Sequence, residues 1–216
     1  MNNTRVEEYF ENLALDFDSY YEKPEGVFDS IINTWLRRPG LIKRLKISLE
    51  LSTPISGKRI LDIGCGSGKL VVECSKNGAE VSGIDISKEM IKIAKDFCDR
   101  NNVKAELKVG DITQGLPKGF DVCIALGVFE YFKDPKPILT NMFNSTNNGG
   151  KIIFSVPSLY SLQTPLREIL LYYRKIKCYY YTKKKLQSLL DNFKTDIKKI
   201  EYYNYGPGMV VHVERQ

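Results

Sequence analysis

Histidine is almost missing from this sequence. His212 is the single one, which excludes a multi-histidine metal centre, and no metal site is expected. The five cysteines, Cys65, Cys74, Cys98, Cys123 and Cys178, are odd in number and contain no CxxC pair. That argues against a disulfide framework or a zinc site and for reduced thiols. No apolar run approaches the roughly 18–20 residues of a membrane span. The polar start, Met1-Asn2-Asn3-Thr4-Arg5-Val6-Glu7-Glu8, lacks the apolar core of a signal peptide. A cytoplasmic protein is the expectation. Internal repeats and low-complexity tracts are absent too, which removes solenoids and disordered tails from consideration.

What is present is an ordinary globular composition in 216 residues, enough for one domain with a substantial core. The net charge of +6 implies a solvated, lysine-rich surface first, and an anionic substrate or nucleic acid second.

The chain is organised around Arg59-Ile60-Leu61-Asp62-Ile63-Gly64-Cys65-Gly66-Ser67-Gly68-Lys69-Leu70. An apolar run meets three alternate glycines, then an amphipathic segment. The order reads as strand, tight turn, helix. Before it, helical spacing with a Thr4-to-Glu7 capping box predicts a helical arm over the first fifty residues. A third helix is expected from about Leu41 to Leu51, after a break at Arg38-Pro39-Gly40.

After Lys58 strands and helices alternate. Strands are expected at 59–63, 80–84, 104–109, 121–126 and 151–156. Helices start near Ser67, Ser87 and Pro135, and Asn147-Asn148-Gly149-Gly150 is a turn. This pattern predicts parallel strands with helices on both faces. Past Pro157 the pattern loosens. Thr182 caps a further helix, and two strands flank Gly206-Pro207-Gly208 as a hairpin.

The glycine loop departs from the dinucleotide fingerprint G-x-G-x-x-G, because Lys69 stands at the last position. Its glycines run G-x-G-x-G, and Asp62 precedes them. A pyrophosphate site has no use for that acid, whereas a ligand bearing an ammonium group has. Further acids follow at the ends of the second and third strands, Asp85-Ile86 and Asp111-Ile112. The fourth strand leads into Leu126-Gly127-Val128-Phe129-Glu130-Tyr131. Together these features resemble the class I S-adenosylmethionine (SAM) methyltransferases. The likeness is close over about residues 55–157 and weaker to the C-terminus.

The resemblance implies a Rossmann-like α/β fold, a three-layer sandwich. Its mostly parallel seven-stranded sheet has order 3-2-1-4-5-7-6, strand seven running antiparallel. The chain divides into a helical arm or lid (1–52), a SAM-binding core (53–157), a substrate-covering insertion (158–181) and a last helix with a strand pair (182–216). SAM would be bound and S-adenosylhomocysteine (SAH) released. Asp62, Gly64, Cys65, Gly66 and Gly68 would hold the methionyl end. Asp85 would receive the ribose diol. Ile86, Met90, Asp111, Ile112, Leu126 and Gly127 would complete the cofactor site.

Catalysis would rest on alignment, with a base only if the acceptor must lose a proton. Glu130, Tyr131, Tyr20 and Tyr21 are the candidates. Tyr131 stands where relatives carry a histidine, so histidine-base chemistry does not carry over. The acceptor is expected to be a small molecule methylated on O or N, and the basic lid suggests an anionic one. An RNA-directed enzyme and a non-catalytic SAM- or SAH-binding module stay open as alternatives, with nucleic acid disfavoured. The oligomeric state is unknown from sequence.

Overall fold

A computed structural model describes residues 38–173 and 177–216 of the chain. Most of the anticipated arm, with Tyr20 and Tyr21, lies outside the described residues. Its last helix, α1 (Arg38–Leu51), is described. Arg38-Pro39-Gly40, expected as a breaker, forms the first turn of α1. Proline suits that place because its missing N–H would have no helical partner there. Lys151 Nζ ties the other end of α1 down, donating to Leu51 O at 2.8 Å and Thr53 O at 2.6 Å.

Seven strands form one sheet: β1 (Arg59–Ile63), β2 (Glu80–Asp85), β3 (Glu106–Val109), β4 (Phe120–Ala125), β5 (Thr146–Pro157), β6 (Ile197–Asn204) and β7 (Gly208–Arg215). Their order is β3-β2-β1-β4-β5-β7-β6. The first five pair in parallel, and β7 runs antiparallel to both β5 and β6. The expected topology is present. The helices between strands are α2 (Lys69–Lys76), α3 (Lys88–Arg100), α4 (Lys136–Ser145), α5 (Thr164–Tyr173) and α6 (Lys183–Leu190).

Local chemistry sets these boundaries. Ser87 accepts from Met90 N–H at 3.2 Å and starts α3, and Thr182 does the same for Lys185 N–H at α6. The strand β5 is longer than its apolar run. Phe120 pairs with Thr146 and Val122 with Lys151, so Asn147-Asn148-Gly149-Gly150 bulge out of the ladder instead of ending it.

Successive side chains of β1 serve opposite faces. Ile60 joins Val72, Val81 and Ile91 in one core layer, while Leu61 and Ile63 join Phe129, Leu139 and Phe154 in the other. Both faces are therefore dry, as a parallel sheet requires. The chain moves from β1 outward to β3, then returns to lay β4 on the other side of β1. That reversal opens a crevice at the carboxyl ends of β1 and β4.

Candidate active site

The loop after β1 is held open by backbone geometry. Gly64, Gly66 and Gly68 have φ of +70°, +51° and +81°. A Cβ on Gly64 would stand 2.5 Å from Val128 Cγ2, in the loop after β4. The two loops that bound the crevice can approach only because that atom is missing.

Asp62 lies just inside β1 beneath this loop, 3% exposed. It accepts no hydrogen bond and makes no ion pair among the described residues. Burial raises its carboxyl to about 8; neighbouring Asp85 pushes it the same way, and Arg44 pulls it down. A buried carboxyl with no partner is a place for a cationic ligand group.

Asp85 ends β2 and is buried. Its Oδ2 accepts from Gly66 N–H at 2.9 Å and its Oδ1 from Ser87 N–H at 3.0 Å. Burial raises its carboxyl and these bonds partly offset that. Asp85 therefore fastens the β1 loop to the β2 loop. A carboxylate has about four lone-pair sites, so two oxygens still have room for a ligand. Asp111 follows β3 and accepts through Oδ1 from both the N–H and the hydroxyl of Thr113, at 2.9 and 2.7 Å. Ile86 is half-buried, while Met90 and Ile112 are buried nearby in chain order.

Four elements meet in one cleft. Leu41, Arg44 and Leu45 come from α1, Asp62, Gly64, Cys65, Gly66 and Ser67 from β1 and its loop, Lys69 and Leu70 from the first turn of α2, and Leu126 from the end of β4. Arg44 is the residue that sequence reasoning missed. Its Nη1 would lie 2.9 Å from a Cβ on Gly127, and it donates to Ser155 Oγ at 3.4 Å. Ser155 Oγ in turn accepts Gly127 N–H at 2.8 Å. Arg44 also shares a side-chain hydrogen bond with Tyr205, buried at the end of β6. A signal existed: Leu41, Arg44, Leu45 and Ser48 recur at helical spacing, and a guanidinium on an inward stripe needs a reason.

Beyond β4 the short helical turn Phe129–Tyr131 carries two catalytic candidates. Glu130 is 5% exposed, and its Oε1 accepts from Arg167 Nη2 at 2.9 Å. Arg167 sits on α5, in the insertion. Glu130 O accepts Tyr179 N–H at 2.8 Å, and Tyr181 donates its hydroxyl to Phe129 O at 3.2 Å. The middle of the insertion and its C-terminal end are thus fastened to this turn. Tyr131 is half-buried and packs with Cys178 and Tyr180.

Two other residues have non-catalytic surroundings. His212 is buried in β7, with Nδ1 3.2 Å from Glu201 Oε2. Cys65 lies within the glycine loop, and burial, then Asp62 and Asp85, drives its thiol far above the ordinary range, the reverse of an activated nucleophile. Among the described residues no cluster of three or more His, Cys, Asp or Glu is placed to hold a metal.

A family model described as "Methyltransferase domain" matches residues 55–194. The chain belongs to the methyltransferase domain family. The matched span runs from just before β1 through the insertion and α6, and so includes every acid of the cleft. The ubiquinone biosynthesis O-methyltransferase of Coxiella burnetii is 28% identical over 138 residues, covering 59% of this chain and 58% of its own. That of Chromobacterium violaceum is 31% identical over 110 residues, covering 50% and 47%. The chain thus spans roughly half to three-fifths of the length of these relatives. Among solved structures, the magnesium protoporphyrin IX methyltransferase of Synechocystis PCC 6803 with bound SAH aligns at a TM-score of 0.81 and 18% identity, covering 100% of both chains. The mitomycin 7-O-methyltransferase aligns at 0.68 and 16%, covering 93% of this chain and 60% of its own. At these identities the likeness is one of fold, and it matches the sheet order found here.

Proposed function

We propose that this methyltransferase-domain protein transfers the methyl group of SAM to an oxygen or nitrogen of a small-molecule acceptor. The observation that carries the reading is the unpartnered, buried Asp62 carboxyl sharing a cleft with the Arg44 guanidinium. An acid sharing a small space with the cations Arg44 and Lys69 suits a zwitterionic amino-acid end, which is what the methionyl part of SAM presents. The residues fit the group elsewhere too. Asp85 has lone pairs left for a cis-diol, and Ile86 with the edge of Ile112 offers an apolar bed for an adenine, whereas Met90 is fully buried and presents no surface to it.

In this reading Asp62 and the Gly64 backbone take the ammonium, and Arg44 takes the carboxylate. Bound SAM supplies a methyl already activated on a sulfonium. The chain's own task is to hold the acceptor in line with that methyl and keep water out. Glu130, held in its ion pair with Arg167, positions the loop under the acceptor. Tyr131, at the same turn, is left to contact the acceptor. Tyr20 and Tyr21 are assigned to the arm that closes over it, and the insertion 158–181 to its cover. Arg167 and the basic flanks of the insertion favour an anionic acceptor. All five cysteines are free thiols, which suits a cytoplasmic setting.

Titration calorimetry with SAH tests this reading. Binding in the micromolar range is expected, weakened at least tenfold by Arg44→Gln. Absence of heat with wild-type protein at millimolar SAH contradicts it.

A further inference from the structure

The described surface concentrates its large exposed apolar side chains in one place. Seven such residues are exposed, and five of them lie between positions 159 and 172: Leu159, Tyr160, Leu162, Ile169 and Tyr172. Leu162 is fully exposed, and Tyr160 and Tyr172 are about four-fifths exposed. Globular surfaces scatter such residues singly, so a cluster on one short segment signals an interaction surface.

The geometry of α5 explains why the cluster faces out. Arg167 is directed inward by its ion pair with Glu130. Pro165, Ile169 and Tyr172 follow an i, i+4, i+7 stripe, about 140–200° around the helix from Arg167 at 100° per residue. Ile169 and Tyr172 therefore point away from the domain. Leu159, Tyr160 and Leu162 precede the helix in the loop that leads into it.

Positive charge borders this patch. Leu159 N–H donates to Tyr181 O at 3.2 Å, and Ser158 bridges to Tyr181. The loop thus runs beside the segment that carries Lys177, Lys183, Lys184 and Lys185, all exposed. Lys185 lies over the Tyr181 ring and Lys177 over the Tyr179 ring, which keeps these ammonium groups at the insertion. Glu168 is the exposed acid on α5.

We infer that the segment 159–172, with the bordering Lys177, Lys183, Lys184 and Lys185, is a peripheral membrane-docking surface that seats on an anionic bilayer. Apolar and aromatic side chains bordered by lysines match an interface whose interior is apolar and whose headgroups are negative. No helix among the described residues is long and apolar enough to cross a membrane, so the contact is with one leaflet. The surface lies on the outer side of the same insertion whose Arg167 reaches the turn after β4. Docking would bring the crevice close to acceptors dissolved in the bilayer.

Co-sedimentation with vesicles tests this, using full-length protein and 100-nm liposomes. Phosphatidylcholine containing about a third phosphatidylglycerol should bind the protein at least tenfold more tightly than pure phosphatidylcholine. The double variant Leu162→Ser, Tyr172→Ser should lose at least tenfold of that binding. Lys184→Gln should lose about fivefold, the effect of one surface lysine. SAH binding should be unchanged in both variants, which shows they are folded. Failure of the wild type to sediment with anionic vesicles overturns the proposal. So does equal sedimentation of wild type and the Ser variant, which marks mere charge adhesion. A dimer in solution that the Ser variant abolishes, with no vesicle binding, assigns the patch to a second copy and overturns it too.

Discussion

The two sides of the crevice are built from different materials. On the β1–β3 side the work is done by backbone and short acids: three glycines with positive φ, and Asp62, Asp85 and Asp111 at consecutive strand ends. Each acts within a few residues of its strand. On the β4–β5 side the work is done by long side chains from distant segments: Arg167 from α5 and the tyrosines Tyr179 and Tyr181 from the insertion, all bonded to the turn after β4. In the proposed reading the first side binds SAM and the second, held by contacts between separate elements, faces the acceptor. If this division is right, changes on one side should leave the other's readout intact.

The largest effect is expected from Asp85→Ala. It removes the two hydrogen bonds that join the β1 and β2 loops, together with the proposed diol acceptor. SAH affinity should fall about a hundredfold, near 2.7 kcal/mol, measured by calorimetry. Loss of less than threefold would detach Asp85 from the cofactor site.

Glu130→Ala should act on stability instead. It leaves the Arg167 guanidinium in a largely dry pocket without its partner, at a cost of about 2–3 kcal/mol. Thermal unfolding should drop by roughly 4–12 °C for a chain of this size. SAH affinity of the folded protein should stay within threefold. A hundredfold loss of SAH binding without a change in melting would erase the division between the two sides.

Gly64→Ala tests the junction. The new methyl meets Val128 and the backbone is held at a φ of +70°, so a cost of about 2 kcal/mol is expected. Pairing it with Val128→Ala should recover part of the loss, because the clash goes and the backbone strain remains. No recovery would mean the approach of the two loops is not what requires glycine.

Taken per pH unit, the smallest effect is a slope with pH. The Asp62 carboxyl is raised in the folded protein from 3.8 to about 8. Between those values the unfolded chain has released a proton that the folded one retains. Stability without ligand should therefore be full below about pH 4, decline as pH rises, and level off above about 8. An ammonium beside Asp62 favours the carboxylate, so SAH should bind more tightly from pH 6 to 7.5. The slope approaches tenfold per pH unit, about 1.4 kcal/mol. Asp62→Asn should flatten both curves.

The same division decides what was legible in the sequence. The strand order, the glycine loop and the three acids were readable because each depends on spacing within one strand–loop–helix unit. Asp62 and Asp85 stand where that spacing put them. The end of β5 was also legible, but its start was not, since a Gly-Gly turn and a Gly-Gly bulge look alike until the β4 partner fixes the register. Glu130 was picked out by its place after β4. Its partner, 37 residues on, leaves no local trace, so an ion-paired fastener resembled a free base. Arg44 was hidden for a similar reason. It belongs to the cleft only because α1 lies along β5 and β7, with Arg44 beside Ser155. The breaker at Arg38-Pro39-Gly40 was misassigned because proline stops a preceding helix and opens a following one with the same chemistry.

The account rests on Asp62 as the unpartnered acid that receives a cationic ligand group. Calorimetry of SAH binding at pH 7, in two buffers of different ionisation enthalpy, tests it most directly. Wild-type protein should bind SAH and release close to one proton, seen as a buffer-dependent heat. Asp62→Asn should bind about tenfold more weakly, in line with loss of one charged hydrogen bond, and release none. Wild-type binding with no proton release, or identical heats for Asp62→Asn, would contradict the role given to Asp62.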